Sequence, residues 1–481
     1  MSPNCRSRHA VATVDAPPRR SDMDYNEADQ LESSVDLDVA RCTSFKRIVY
    51  GCAQMLARMY HSPASWALLD QIIVSGMRFI TTLLVGRFCG PEDLGIYVLA
   101  FSAILVVSLS QESLIARPFQ VFWQSMKATR QRFYSGSSLI QLLSLAGFVA
   151  VVTLLAALTL SWYSVNPNVC WVILSLTLTM PGILLWEFVR RQAFAMMEMR
   201  SAAVLDGCLA VLQLTGLLAL GFLGQLTVAR ALFLIAISST CVGVVRLLQQ
   251  RSRFQYSCRL AGLDIRKNWR FGRWFFAGQI VGLAQAYAVP WILTLAYGAE
   301  QTGILMACQT LVLLSNPMLL GLANWLGPAS VRTYVSDGLA GLNRLLIKVS
   351  LLSHGCMVAF AIMLYFLGEW ILVLTFGSGY AGYGHLVAIT GITALGFSMT
   401  VSGSSGLAAI QRPRLIMYGT LVGSIVSVAT LPSLVHHWGL TGAAWALAAG
   451  SLTTGLIQVL GYVFISKAIS GRASLADVRG N

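Results

Sequence analysis

Apolar residues run along this chain in blocks of about twenty, and short polar stretches separate them. That block length is the one a helix needs to cross a bilayer. Twelve such blocks are legible, at about 66–88, 94–116, 137–161, 169–189, 201–223, 226–247, 271–296, 303–326, 345–367, 383–410, 415–435 and 440–465. The stretch Trp66 to Tyr97 shows the design in miniature: a helix, a tight turn at Gly90-Pro91-Glu92-Asp93, and the start of a second helix. Residues 1–43 are polar, with Pro17-Pro18-Arg19-Arg20 followed by a run of acids, and are expected to be disordered. They hold no apolar run of a signal peptide, so the first spanning helix is expected to direct insertion. From 44 to 61 an apolar stripe of Ile48, Cys52, Met55, Leu56 and Met59 predicts either a short helix on the membrane surface or a plain linker.

Charge orients these blocks. With the amino terminus inside, the Lys and Arg should crowd the inner loops. They do: all but Arg78, Arg87 and Arg230 of the 34 fall in the amino-terminal region, the inner loops or the carboxy-terminal end. The outer turns hold Glu92, Asp93, Glu300 and Glu369 instead. Missing one span would scramble this alternation, so twelve spans with both termini cytoplasmic is the expectation. The expected segments are a tail at 1–65, a six-helix bundle at 66–247, a basic linker at 248–270, a second bundle at 271–465 and a tail at 466–481.

Composition agrees. Only 11% of the 481 residues are charged and 56% are hydrophobic, against roughly 25% charged in soluble domains. The net charge of +14 is spread over many loops, so it reads as topology and argues against a nucleic-acid surface. The ten cysteines form no CxxC pair and no cluster with histidine, so neither a metal site nor a disulfide framework is indicated. Cys89 and Cys170 fall at outer helix ends, which are often too far apart to bridge. There is no P-loop, HExxH or GxSxG motif, so no catalytic machinery and no cofactor is expected.

The turn has an echo. Gly90-Pro91-Glu92-Asp93-Leu94-Gly95-Ile96 recurs as Gly298-Ala299-Glu300-Gln301-Thr302-Gly303-Ile304, and at the same offset Trp66 meets Trp274 and Gln71 meets Gln279. Helix 1 thus corresponds to helix 7. The chain is predicted to be two six-helix halves in the same orientation, an architecture common in transporters, with the substrate between the halves.

Charged residues inside the spans are the candidate chemistry, since they are costly in lipid and usually face a cavity or a partner. At ~1.5 Å per residue, Arg78 lies ~18 Å from the Trp66 end, near mid-membrane, and ~12 Å from Asp70. It therefore needs another partner: water, an acid on another helix, or an anionic substrate. The cavity candidates are Arg78, Asp70, Gln71, Ser75, Glu112, Asp206, Gln279 and His354. For Asp70, Glu112 and Asp206, near the inner interface, pairing with loop arginines is the competing reading. Glu187 is a further acid in helix 4, while Arg87 and Arg230 are expected to snorkel outward. Pro181, Pro290 and Pro317 are expected to interrupt or shape helices 4, 7 and 8.

Leu84-Val85-Gly86-Arg87-Phe88-Cys89-Gly90-Pro91-Glu92-Asp93-Leu94-Gly95-Ile96-Tyr97 resembles polysaccharide-biosynthesis flippases of the multidrug/oligosaccharidyl-lipid/polysaccharide exporter superfamily. Arg270-Phe271-Gly272 and Phe376-Gly377-Ser378-Gly379-Tyr380 are similar too. The resemblance covers most of 66–465. It implies two six-helix bundles in a V, rocking between inward-open and outward-open forms, and an undecaprenyl-diphosphate-linked oligosaccharide as cargo. Arg78 fits the diphosphate by position. Membrane lipids, a polysaccharide polymerase and glycosyltransferases are the implied partners, in the inner membrane. A cation-coupled drug exporter of the same superfamily is the alternative, and a non-transporting membrane scaffold a more distant one. A drug exporter should carry acids deep in its cavity, whereas the mid-membrane charge here is Arg78.

Overall fold

The computed structural model describes residues 63–123, 126–163, 167–196 and 198–480, and they are helical almost throughout. The predicted polar tail and surface helix before residue 63 lie outside the described residues. Trp66 to Asn481 form one compact unit. The first half runs through α1 (Pro63–Cys89), α2 (Pro91–Phe122), α3 (Ala128–Trp162), α4 (Pro167–Ala195), α5 (Met199–Phe222) and α6 (Val228–Gln249). The second half runs through α7 (Cys258–Tyr297), α8 (299–337), α9 (339–376), α10 (Gly384–Ala409), α11 (413–438) and α12 (440–480).

Among the described residues, ten helices are long and apolar enough to cross a membrane, and the bent pair within α7 makes an eleventh. Gly439, with φ of 56°, divides Pro413–Gly480 into α11 and α12. Gly338, with φ of 65°, divides α8 from α9 in the same way. Such backbone is open to glycine and strained for residues with a Cβ. Large apolar side chains such as Phe148, Leu155, Phe222 and Phe366 stand exposed on the outside of the bundles, as a lipid-facing surface requires.

Several helices outrun their apolar blocks. The basic stretch 248–270, predicted as a loop, is a short 3₁₀ turn at Arg251–Arg253 and then the first turns of α7, helical from Cys258. Its helix lies against α3: Arg130 bonds Asp264, Tyr134 bonds Asn268 at 2.6 Å, and Asn268 bonds Gln141 at 3.0 Å. Hydropathy ends a block where charge begins, but a helix continues into water or protein wherever its side chains find partners.

The prolines act through the N–H they lack. Pro290 cannot bond the carbonyl of Ala286, and α7 bends by 47° between Phe275–Ala284 and Ala286–Tyr297. Pro317 follows a 3₁₀ turn at Leu313–Ser315. Pro118 follows a π-turn at Glu112–Ala116, and the Gln141 amide donates to the Leu114 carbonyl there at 3.3 Å.

The repeat proves to be the joint between the halves. Gly90 and Gly298 share one backbone conformation, φ 90° with ψ 179° and φ 92° with ψ 168°. Each closes one helix and starts the next: the Gly90 N–H donates to Gly86 O, and the Gly298 N–H donates to Thr294 O. Glycine is needed because φ is positive. One turn further, α2 and α8 cross at Gly95 and Gly303, so closely that a Cβ on Gly95 would sit 1.9 Å from Ala299 O and one on Gly303 would sit 1.7 Å from Pro91 O. These contacts are reciprocal under the same offset, so the two copies of the motif pack on each other about a local two-fold.

Candidate functional site

The two halves meet unevenly along their length. At the end bearing the acidic turns, one apolar cluster joins them, including Val85 and Leu94 from the first half and Ile304, Leu305, Leu372 and Phe376 from the second. Polar contacts reinforce it. Arg87 donates to the carbonyls of Leu374 at 2.6 Å and Thr375 at 3.3 Å, in the last turn of α9, where the helix dipole favours a cation. Tyr380 donates to Gly86 O at 3.2 Å, and Trp291 of α7 donates to Ser102 of α2 at 2.9 Å. Arg87 therefore latches one half to the other instead of snorkelling. Arg230 turns back to the Gln225 carbonyl at 2.6 Å.

At the basic end the core divides. One cluster, with Leu326, Leu342, Val401, Leu407 and Tyr462, belongs to the second half. A separate one, with Phe119, Tyr134 and Ala195, belongs to the first. The halves thus share one apolar core at the acidic end, while at the basic end their cores are separate and α7 bridges them, with Phe271 5.3 Å from Phe122 and Asn268 bonded to Tyr134.

Arg78 stands at mid-length on α1, with its side chain 45% exposed. Its guanidinium lies 3.8 Å from the Glu187 carboxylate of α4 and 5.9 Å from the centre of the Phe101 ring of α2. The missing partner is thus an acid on another helix, held at a distance that leaves other N–H groups free. Tyr97 of α2 borders the same void as Arg78, and Trp291 of α7 donates to Ser102, the neighbour of Phe101, which sets Arg78 near where α7 of the second half approaches the first. Behind it, Arg78, Tyr97, Glu187, Gln213 and Ser239 border a void of about 40 Å³, room for about three waters. Gln71 and Ser75 are hydrogen-bonded to each other at 3.1 Å on α1, and Thr82 bonds the Arg78 carbonyl at 3.0 Å.

The other predicted acids sit elsewhere. Asp70 and Asp206 are each 1% exposed, and Arg190 of α4 binds both, meeting Asp206 at 2.5 Å. Trp186 also donates to Asp206, at 2.8 Å. This cluster ties α1, α4 and α5 together in the interior of the first half. Two carboxylates around one guanidinium satisfy charges that could not be buried alone. Glu112 is held by Arg191 at 3.0 Å and Arg117 at 3.1 Å. His354 is bonded to its own helix, Nδ1 to Ser350 O at 2.5 Å. Gln279 is half-buried on α7. The structure therefore brings Arg78 together with Glu187, Tyr97 and Phe101, and keeps Asp70, Asp206, Glu112 and His354 on protein partners. Nothing in the sequence singles out the two aromatic residues. Arg190 had one signal, that the apolar block of helix 4 runs right up to it.

The chain matches no protein-family model and no curated protein. Its fold is similar to that of solved transporters. A multidrug resistance MATE family transporter of the MOP superfamily in its inward-facing conformation superposes with a TM-score of 0.65, at 13% identity over 85% of this chain and 96% of that one. The outward-facing conformation of such a transporter gives 0.55, at 13% identity over 86% and 98%. A MOP superfamily transporter from Pyrococcus furiosus Vc1, described as having a binding pocket of reverse polarity, gives 0.57 at 13% identity over 86% and 98%. At this identity the likeness is one of fold: helices in two bundles across nearly the whole length of each chain.

Proposed function

We propose that the protein is a flippase that turns a lipid-diphosphate-linked oligosaccharide from the inner to the outer leaflet, for assembly of a surface or exported polysaccharide. The observation that carries this reading is Arg78, a half-exposed cation at mid-length on α1, paired loosely to Glu187 at 3.8 Å. A cation in that position favours an anionic group passing between the halves, and a diphosphate supplies one. The lipid tail stays in the bilayer while the head group enters between the halves.

In this reading the head group enters between the halves at the basic end, where their apolar cores are separate and polar contacts of α7 join them. The better superposition on an inward-facing than on an outward-facing transporter agrees with this. In this reading the basic loops and both termini face the cytoplasm, in line with the Lys and Arg distribution. Transport is rocking of the halves about the α2–α8 crossing. Membrane lipids, a polymerase and glycosyltransferases are the expected partners, and no nucleic acid is.

A second reading is a cation-coupled multidrug exporter. Glu187 with the aromatic residues Tyr97 and Phe101 favours it, since a carboxylate among aromatic rings suits an organic cation.

Arg78→Ala separates the two. For a diphosphate cargo it removes a charge-assisted pairing worth about 1.5–3 kcal/mol, or a 10- to 150-fold loss of binding. Translocation of a fluorescent polyprenyl-diphosphate sugar in proteoliposomes should fall accordingly, with Arg78→Lys intermediate because a lysine offers a point charge without the fork. Full translocation by correctly inserted Arg78→Ala would refute the flippase reading, and drug efflux surviving in the same protein would favour the exporter.

A further inference from the structure

The second half holds a cavity of about 390 Å³ among α7, α8, α10, α11 and α12. That is large enough for a small-molecule site, and its chemistry differs from that around Arg78. No charged side chain is among its lining residues. Hydroxyls recur along the wall, at Thr393, Thr400, Thr420, Ser427, Ser451 and Thr454. Two amides, Gln309 and Asn316, the exposed ring of Phe397 and apolar residues such as Val312, Leu319 and Leu447 make up the rest.

The hydroxyl protons are mostly committed. Thr393 donates to Thr390 O at 2.5 Å, Thr400 to Gly396 O, Thr420 to Ile416 O and Thr454 to Gly450 O, each of the last three at 3.0 Å. Ser451 crosses from α12 to the Thr393 carbonyl of α10 at 3.0 Å. A hydroxyl that donates to its helix still has lone pairs, so these oxygens line the wall as acceptors. Ser427 is different. It is 3% exposed, and its Oγ has no hydrogen-bond partner among the described residues. A buried hydroxyl left unmatched costs free energy, and this one borders the cavity. The amide NH₂ groups of Gln309 and Asn316 supply donors beside these acceptors.

A wall that interleaves neutral acceptors and donors with apolar side chains suits a sugar, which presents hydroxyls at its edge and C–H groups on its faces. It offers a cation no carboxylate and an anion no positive charge. The cavity also meets the Arg78 region across one helix. Ala286 lines it, and five residues on, Trp291 of the same helix donates to Ser102 at 2.9 Å, next to Phe101, whose ring centre lies 5.9 Å from the Arg78 guanidinium. We infer that this cavity is the sugar subsite, taking the first sugar units of the cargo while Arg78 takes its diphosphate. The inference rests on the flippase reading and adds the division of labour: the first half reads charge, the second reads sugar hydroxyls.

The test uses the full chain in lipid nanodiscs and two probes, undecaprenyl diphosphate and the same lipid carrying a glucose residue. Binding is followed by native mass spectrometry. The wild type is expected to bind the glycosylated probe about tenfold more tightly. Ser427→Ala with Thr420→Val removes two of the wall's hydroxyls, each worth about two- to tenfold. The double variant should lose most of the sugar's advantage and keep its affinity for the bare diphosphate, which also shows that it is folded. Phe397→Leu should give a smaller loss of the same kind. If the wild type binds the bare lipid but gains nothing from the sugar, or the double variant keeps the full advantage, the subsite is refuted and the flippase reading stands. If the wild type binds neither probe, the flippase reading falls and the subsite with it.

Discussion

The crossing of α2 and α8 predicts how sensitive the joined, acidic end of the two halves is to a single methyl group. A Cβ at Gly95 would stand 1.9 Å from Ala299 O, and one at Gly303 would stand 1.7 Å from Pro91 O, where ordinary contact begins at 3.4 Å. Gly95→Ala therefore demands a separation of about 1.5 Å, and Gly303→Ala about 1.7 Å, the differences between those distances. Both obstructing atoms are backbone, which no rotamer change can move aside. Overpacking of this kind costs about 1–3 kcal/mol. The cost falls only on the state in which the acidic end is closed, so each variant should shift the protein towards the form with that end open. Once one methyl has parted the helices, the second meets less resistance, and the double variant should cost less than the sum of the singles. Hydrogen–deuterium exchange of peptides spanning 91–98 and 299–306 reads the separation, and thermal denaturation in detergent reads the cost. Unchanged exchange at both peptides with an unchanged midpoint would refute the close crossing. Strict additivity would refute the shared contact.

Two further outcomes follow from the ion pairs. Arg87→Ala removes both bonds to the last carbonyls of α9; for an exposed side chain this is worth about 1 kcal/mol. It should speed exchange at the end of α9, whereas Arg230→Ala, whose guanidinium bonds within the first half, should leave that segment unchanged. Arg190→Ala strands Asp70 and Asp206 as buried carboxylates, a loss of about 3–5 kcal/mol; the protein should fail to accumulate in membranes, and adding Asp70→Asn and Asp206→Asn should restore it, both read by immunoblot of the membrane fraction.

Much of this molecule was legible along the chain because the information is local. A spanning helix is about twenty apolar residues in a row, and lipid imposes that on every segment independently of the others. The loop charges and the echo of Gly90–Ile96 at Gly298–Ile304 are likewise patterns in one dimension. Glycine in the turn followed from the positive φ that a helix end requires. The basic stretch 248–270 was misjudged as a loop for a related reason: hydropathy measures fitness for lipid, and Cys258–Arg270 is helical outside it, against α3.

Pairing was not legible, because it depends on which helices become neighbours. Arg78 announced its need for a partner, but any of several acids satisfied the sequence. Packing chose Glu187, and gave Asp70 and Asp206 to Arg190, which lies just past the apolar block of its own helix. Arg87 carried no mark that its partners would be carbonyls nearly three hundred residues away. The sequence by itself determined what lipid demands of each segment: apolar blocks of spanning length, the doubled motif and one cation in the middle of the first helix. Only the tertiary structure decided that the doubled motif packs against itself, that the two halves share one core at the acidic end, and which charges stay exposed. A buried charge or a bare glycine states a requirement, and the helix that meets it is fixed by the packing of the whole.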